Sequence, residues 1–206
     1  MPKQVDHQQR RSELAEALWR IAERDGFAAT TVRHVAAEAG VSVGMVQHYF
    51  STKDEMLLFA LQWVGEEFGG RITAKVGALP EPRDPYEVIW IVLSERLPAS
   101  ARDRAYVQAL VAWLGRAIAN PALARYMADG TRLLRDHLTG WLREAQDAGR
   151  VAAGLDPVHA ADALLALTDG LSSHLLQGLH TPDEALAVLR DHLNHLFGRT
   201  GEPLAT

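Results

Sequence analysis

The run TTVRHVAAEAGVSVGMVQHYF, from Thr30 to Phe50, decides the fold. Thr31 is a side-chain cap for a short helix whose Val32, Val35, Ala36 and Ala39 recur at spacings of three and four and so share one face. Gly40 supplies the backbone freedom for a sharp turn, Val41 fills the corner, and Ser42 caps a second short helix. In that helix Val46 and Phe50, four apart, point inward. Val43, Gly44, Met45, Gln47, His48 and Tyr49 are left pointing out. This outer face has no formal charge and mixes apolar contact with hydrogen-bonding groups, which suits a helix lying in a major groove. Gln47 would read an adenine edge, Val43 or Met45 would touch a thymine methyl, and Gly44 permits close approach. Tyr49 and His48 would donate to phosphate oxygens, as would Lys53 at the start of the following helix. The competing structural explanation is a plain helical hairpin whose outer face is merely wet.

Outward from this run, helical spacing of apolar residues continues through the chain and no alternating strand pattern emerges. The fold class expected is all-α. An N-terminal three-helix helix-turn-helix domain over 1–52 precedes a larger C-terminal helical bundle over 53–206, with about nine helices in all. They are expected near 9–25, 32–39, 43–50, 53–77, 85–97, 101–119, 121–148, 157–178 and 182–197. Asn120-Pro121, Asp156-Pro157 and Thr181-Pro182 each place a capping side chain before a proline suited to the first helical turn. Thr181 to Glu184 and Thr52 to Glu55 both read as capping boxes. Gly26, Gly40, Gly149 and Gly178 fall where helices should stop. The helix at 53–77 contains Gly65, Gly69 and Gly70, which mark either a bend or close packing.

Composition bounds the function. With 48% hydrophobic and 23% charged residues, the 206-residue chain is ordinary globular material. It has no cysteine, so disulfides, zinc-thiolate sites and cysteine nucleophiles are excluded. The N-terminus lacks the apolar stretch of a secretory signal, and the run Val88 to Leu93 is too short to span a bilayer. A cytoplasmic protein with no membrane role is expected. The net charge of −5 argues against a nucleic-acid partner, but its distribution softens that. Residues 1–53 hold seven Lys/Arg and six Asp/Glu, so the acidic balance lies entirely behind the head.

Residues 9–60 resemble the N-terminal domain of the TetR family of regulators. The resemblance rests on Ala22-Glu23-Arg24-Asp25-Gly26-Phe27, Thr30-Thr31-Val32-Arg33, Val35 to Ser42, and Val46 to Leu57. It implies that Thr31 contacts phosphate and that Arg33 reaches a base edge or phosphate beside it. Val43, Gly44, Met45 and Gln47 would face bases, and His48, Tyr49 and Lys53 would grip the backbone. The sequence departs at Gln47, where a tyrosine is frequent in the family, and this bears on base preference. Residues 54–206 resemble more loosely a BetI-like TetR-family body, through Arg143 to Gly149 and Ala160 to Leu171. The resemblance implies a homodimer built by the last two long helices. Two leucine stripes support it, Leu164, Leu167, Leu171 and Leu175 on one helix and Leu186, Leu189 and Leu193 on the next. One face of the stripes should serve the protomer core; the alternative is that both do.

Phe59, Trp63, Trp90 and Trp113, with Tyr106 and Tyr126, are candidates to line an effector cavity for an apolar or cationic small molecule. Each is also an ordinary core aromatic by its spacing. His192 and His195, with His174 on the neighbouring helix, lack the His-Glu-x-x-His arrangement of a metal site, so no metal and no cofactor is expected. Gly69-Gly70-Arg71 lacks the ending of a phosphate loop. Gly170 to His174 lacks the strand of a nucleophile elbow. The function expected is a ligand-responsive transcriptional repressor, not an enzyme. It would bind a palindromic double-stranded DNA operator as a homodimer and be released by a small-molecule effector. The alternative is a helical small-molecule carrier or enzyme without a DNA role, which would have no use for the outer face of residues 43–49.

Overall fold

The computed structural model describes residues 2–118 and 121–199. Among them lie nine α-helices, one short 3-10 turn at Phe27–Ala29, and no strand. The helices are α1 Pro2–Asp25, α2 Val32–Glu38, α3 Val43–Tyr49, α4 Lys53–Gly77, α5 Pro85–Ser94, α6 Ala101–Ala117, α7 Pro121–Asp147, α8 Pro157–Gln177 and α9 Pro182–Leu196.

Local chemistry explains most boundaries. Asp156 accepts from the Val158 and His159 amides, and Thr181 with Glu184 completes a reciprocal capping box. At α4 the reciprocity shifts by one residue. Thr52 accepts from the Glu55 amide, but the Glu55 carboxylate takes the amide of Ser51. Asn120 lies outside the described residues. Gly178 ends α8 at φ 73°, with the Leu179 amide returning to the His174 carbonyl. Two ends differ from expectation. α1 begins at Pro2 rather than near residue 9, because its first turns are polar and carry no apolar rhythm. α5 ends at Ser94 rather than 97, because the amides of Arg96 and Leu97 bond three residues back and Pro98 follows.

The chain divides into two compact units. One comprises residues 1–71 and 99–113, the other 72–98 and 114–206. The first therefore holds more than the head expected to end at residue 52. Its core includes Leu14, Leu18, Trp19, Val35, Val46, Met56, Ala60 and Val64, all buried. The Trp19 indole reaches across to the Ala60 carbonyl, so α4 packs as part of the same body. Gly65 lies within α4, and a Cβ there would stand 3.4 Å from the Tyr106 hydroxyl, so packing is close at that point, whereas nothing lies within 4 Å of one at Gly69 or Gly70.

In the second unit α5, α7, α8 and α9 enclose one apolar core. Leu164, Leu171, Leu175, Leu189 and Leu193 are at most 4% exposed there, and Leu167 and Leu186 are partly buried against it. Within a single protomer these leucines are therefore mostly core, the role expected for one face of the stripes. The sides left exposed carry Ala163, Ala166 and Gly170 on α8 and Val188, His192 and His195 on α9. At the edge of the same unit Tyr86 donates to Asn194 at 2.6 Å, and Asp84 pairs with Arg150 at 2.6 Å and Arg199 at 2.9 Å. Burial pushes the Tyr86 hydroxyl above its ordinary pKa.

Candidate DNA-reading surface

The α2–turn–α3 segment is built by caps at each corner. The Thr31 hydroxyl accepts from the His34 amide at 3.1 Å, and Ser42 accepts from Met45 at 3.1 Å. Between them Gly40 adopts φ 66°. The Val41 amide bonds the Ala36 carbonyl at 2.9 Å and the Gly40 amide bonds Ala37 at 3.2 Å. This double bond is the Schellman closure that a left-handed glycine permits, and it turns the chain directly from one helix into the next. Val35, Ala36, Val46 and Phe50 are buried, as the spacing predicts.

The outer face is exposed. Val43 and Met45 stand 37% and 40% open. Gly44, Gln47 and His48 are exposed beside them, and Tyr49 is half-buried. Arg33 on α2 and Lys53 at the start of α4 are exposed, and Thr31 is half-buried at its cap. A Cβ on Gly44 would meet only the Ser42 hydroxyl, at 3.9 Å, so nothing from the protein covers that side of α3.

Charged and aromatic side chains from α1 hold this surface in place. Glu38 at the end of α2 pairs with Arg20 at 2.9 Å and Arg24 at 3.2 Å. These two guanidiniums, Arg20 first, hold its carboxyl below the ordinary range. Arg11 lies 4.8 Å over the Phe50 ring and 4.3 Å over the Phe59 ring, and it pairs with Glu55 at 3.4 Å. Phe50 and Phe59 themselves sit 5.5 Å apart. Phe59, read from sequence as a wall of an effector cavity, is thus engaged in the seam that fixes the end of α3. The His7 ring rests 4.7 Å from Tyr49.

Of the other effector candidates, Trp63, Tyr106 and Trp113 fall in the first unit, Trp90 and Tyr126 in the second. Tyr106 stacks on Phe68 at 4.6 Å and meets Trp19 edge-on, which makes it packing. Trp113 is buried and Tyr126 is exposed. Trp63 and Trp90 each face a cation of the chain itself, Arg102 at 5.6 Å and Arg190 at 4.4 Å. An open groove of about 490 Å³ runs along α1 from Trp63 toward Val41. Its walls carry the Arg10–Glu13 and Arg20–Glu38 pairs, and among its lining residues Trp63 is the one effector candidate. Charged side chains alternate along the groove with Leu14, Ala39, Val41 and Trp63.

Sequence reading missed Arg102. In the first turn of α6 it donates to Glu16 at 3.1 Å, Glu23 at 2.8 Å and Glu67 at 2.7 Å, joining α1 and α4. Burial disfavours its charge, but the bonds to these carboxylates prevail and hold its pKa above the ordinary value. The one local signal was Glu16 and Glu23, seven apart on a single face of α1. Among the described residues no three His, Asp or Glu side chains gather as a metal site. His174 lies beside His180 at 5.3 Å. Nor is any described helix long and apolar enough to cross a membrane.

Residues 14–59 match the family described as bacterial regulatory proteins, tetR family, and residues 87–198 match BetI-type transcriptional repressor, C-terminal. The chain belongs to the TetR family of transcriptional regulators. It is 32% identical over 182 residues to the HTH-type transcriptional regulator PksA of Bacillus subtilis, covering 85% of this chain and 83% of that protein. It is 27% identical over 210 residues to the HTH-type transcriptional regulator BetI of Brucella canis, covering 100% and 99%. A transcriptional regulator from Rhodococcus sp. superposes with a TM-score of 0.73 at 28% identity, covering 94% of this chain and 99% of that one. A Saccharomonospora viridis regulator, solved in complex with choline, gives 0.83 at 23% identity, covering 91% and 97%, and at that identity shows the fold alone. As a TetR-family regulator the chain carries its DNA-binding helix-turn-helix in α2 and α3.

Proposed function

We propose that this regulator is a repressor that grips a palindromic operator as a homodimer and leaves it when a small cation binds. The observation that carries the DNA half is the uncharged, exposed face of α3, capped at Ser42 and flanked by exposed Arg33 and Lys53. On this reading Val43, Gly44, Met45 and Gln47 face bases. Arg33 reaches a base edge, and Thr31, His48, Tyr49 and Lys53 meet phosphates. A second copy is placed against the exposed sides of α8 and α9, where Ala163, Ala166 and Gly170 allow close helix approach and Val188 is uncovered. The two reading helices would then enter successive major grooves, about 34–36 Å apart.

The effector half rests on the choline seen in the Saccharomonospora viridis regulator. A quaternary ammonium is the ligand class to try first. Among the candidate aromatics Trp63 and Trp90 offer faces that already attract guanidinium. The experiment is selection of bound fragments from genomic DNA, followed by release with choline and related cations. A shared palindrome, displaced by one of these cations, is expected. Failure to enrich any fragment overturns the DNA half; a stable complex in the presence of every cation tried overturns the choice of effector.

A further inference from the structure

We propose that His7 is a DNA-backbone contact and that His7 and His48, on two sides of Tyr49, make operator binding proton-linked. The inference rests on the docking of α3 described above and goes beyond it in residue and in mechanism. His7 comes from α1, whereas His48 and Tyr49 end α3. The Tyr49 ring lies 4.7 Å from His7, tilted by 50°, and 5.2 Å from His48, nearly perpendicular at 82°. Both imidazoles are exposed and the phenol is half-buried. Two titratable rings from different helices therefore flank one side chain that meets phosphate in the docked complex.

A neutral imidazole has one donor to offer an anion; an imidazolium has two, and a charge. Histidine is the side-chain type whose charge changes between about pH 5 and 8. His48 sits in the last turn of α3, where the carbonyl end of the helix favours a cation. Tyr49 presents a π surface to a charged ring. The charged side chains of the adjoining elements are Arg10 and Arg11 on α1, paired with Glu13 and Glu55, and Lys53 and Asp54 at the start of α4. These three cations and three carboxylates balance, so a phosphate brought beside Tyr49 is the uncompensated charge; it favours the imidazolium form, and DNA binding draws protons onto the rings.

The sign follows. The protonated regulator binds DNA more tightly, so affinity rises as pH falls from about 8 to about 5.5. A phosphate that raises the proton affinity of one ring tenfold raises operator affinity by up to about tenfold over that range. Each added charge also steepens the slope of log affinity against log salt by about 0.9. The test is operator affinity for the full chain against pH and salt, for the wild type and for His7→Gln, His48→Gln and, as a control in the second unit, His137→Gln. His7→Gln and His48→Gln should each remove part of the pH dependence and leave the salt slope at pH 6 shallower by about 0.9. Both should unfold at the wild-type temperature, and His137→Gln should behave as wild type. Wild-type affinity independent of pH, or a pH dependence untouched in His7→Gln, overturns the inference. If Lys53→Ala still weakens binding in that case, the docking of α3 stands without it. Absence of DNA binding at every pH overturns both.

Discussion

The Trp19 indole donates to the Ala60 carbonyl across 2.8 Å, with both groups buried. One bond thus ties the first helix of the head to the first half of α4, forty-one residues further on. Tyr106 meets the same indole at 6.3 Å and Phe27 at 6.2 Å, so Trp19 is a junction for α1, α4 and α6 within the first unit. Replacing it with Phe removes a buried hydrogen bond and leaves a void. Trp19→Phe should destabilise the protein by about 1–3 kcal/mol. Urea unfolding followed by circular dichroism gives the value, and a wild-type midpoint with a wild-type slope would count against this role.

Phosphate and base contacts should separate by their salt and sequence signatures. Lys53→Ala should weaken binding to all sequences alike and lower the salt slope by about 0.9. Gln47→Ala and Arg33→Ala should relax base preference, at about 1–3 kcal/mol for each lost bidentate contact. Fragment selection with each variant reads both effects. A Gln47→Ala sequence logo identical to wild type removes Gln47 from the reading set.

Adjacent residues on α9 should separate core from interface. Leu189 is fully buried and Val188 is 42% exposed. Leu189→Ala should cost about 2–5 kcal/mol of stability. Val188→Glu should leave the protomer folded and weaken the proposed dimer. Light scattering with thermal unfolding distinguishes them: a Val188→Glu protein that remains dimeric at wild-type strength moves the interface off this face.

Acid should loosen α8 and α9 from their caps. Two Thr181 bonds, backbone first, hold the Glu184 carboxyl below its ordinary 4.5. The His159 and Val158 amides do the same to Asp156. A carboxyl whose pKa is lowered in the folded state contributes stability above its unfolded value and loses it as pH falls through the folded one. The loss should therefore run downward from about pH 4.5. The Glu184→Gln, Asp156→Asn double variant keeps capping groups without the charge and should show a shallower fall in melting temperature. A fall as steep as wild type would place the acid sensitivity elsewhere.

The sequence by itself determined the helices, their caps and the reading turn, because those depend on residues three or four apart. Thr31, Gly40, Ser42 and Thr181 act on amides within one turn, and no distant partner changes what they do. The exposed face of α3 was legible for the same reason: Val46 and Phe50 claim one side and leave the other. Only the tertiary structure decided which sides of α8 and α9 are core. Leu164, Leu171 and Leu175 read equally well as interface, and it is packing against α5 and α7 that consumes them. The same holds for Phe59, which Arg11 and Phe50 engage, and for Arg102, whose three carboxylates come from positions far apart in the chain. Ion pairs and aromatic contacts of this kind carry no period in sequence, since they are set by where helices cross rather than by how each one turns.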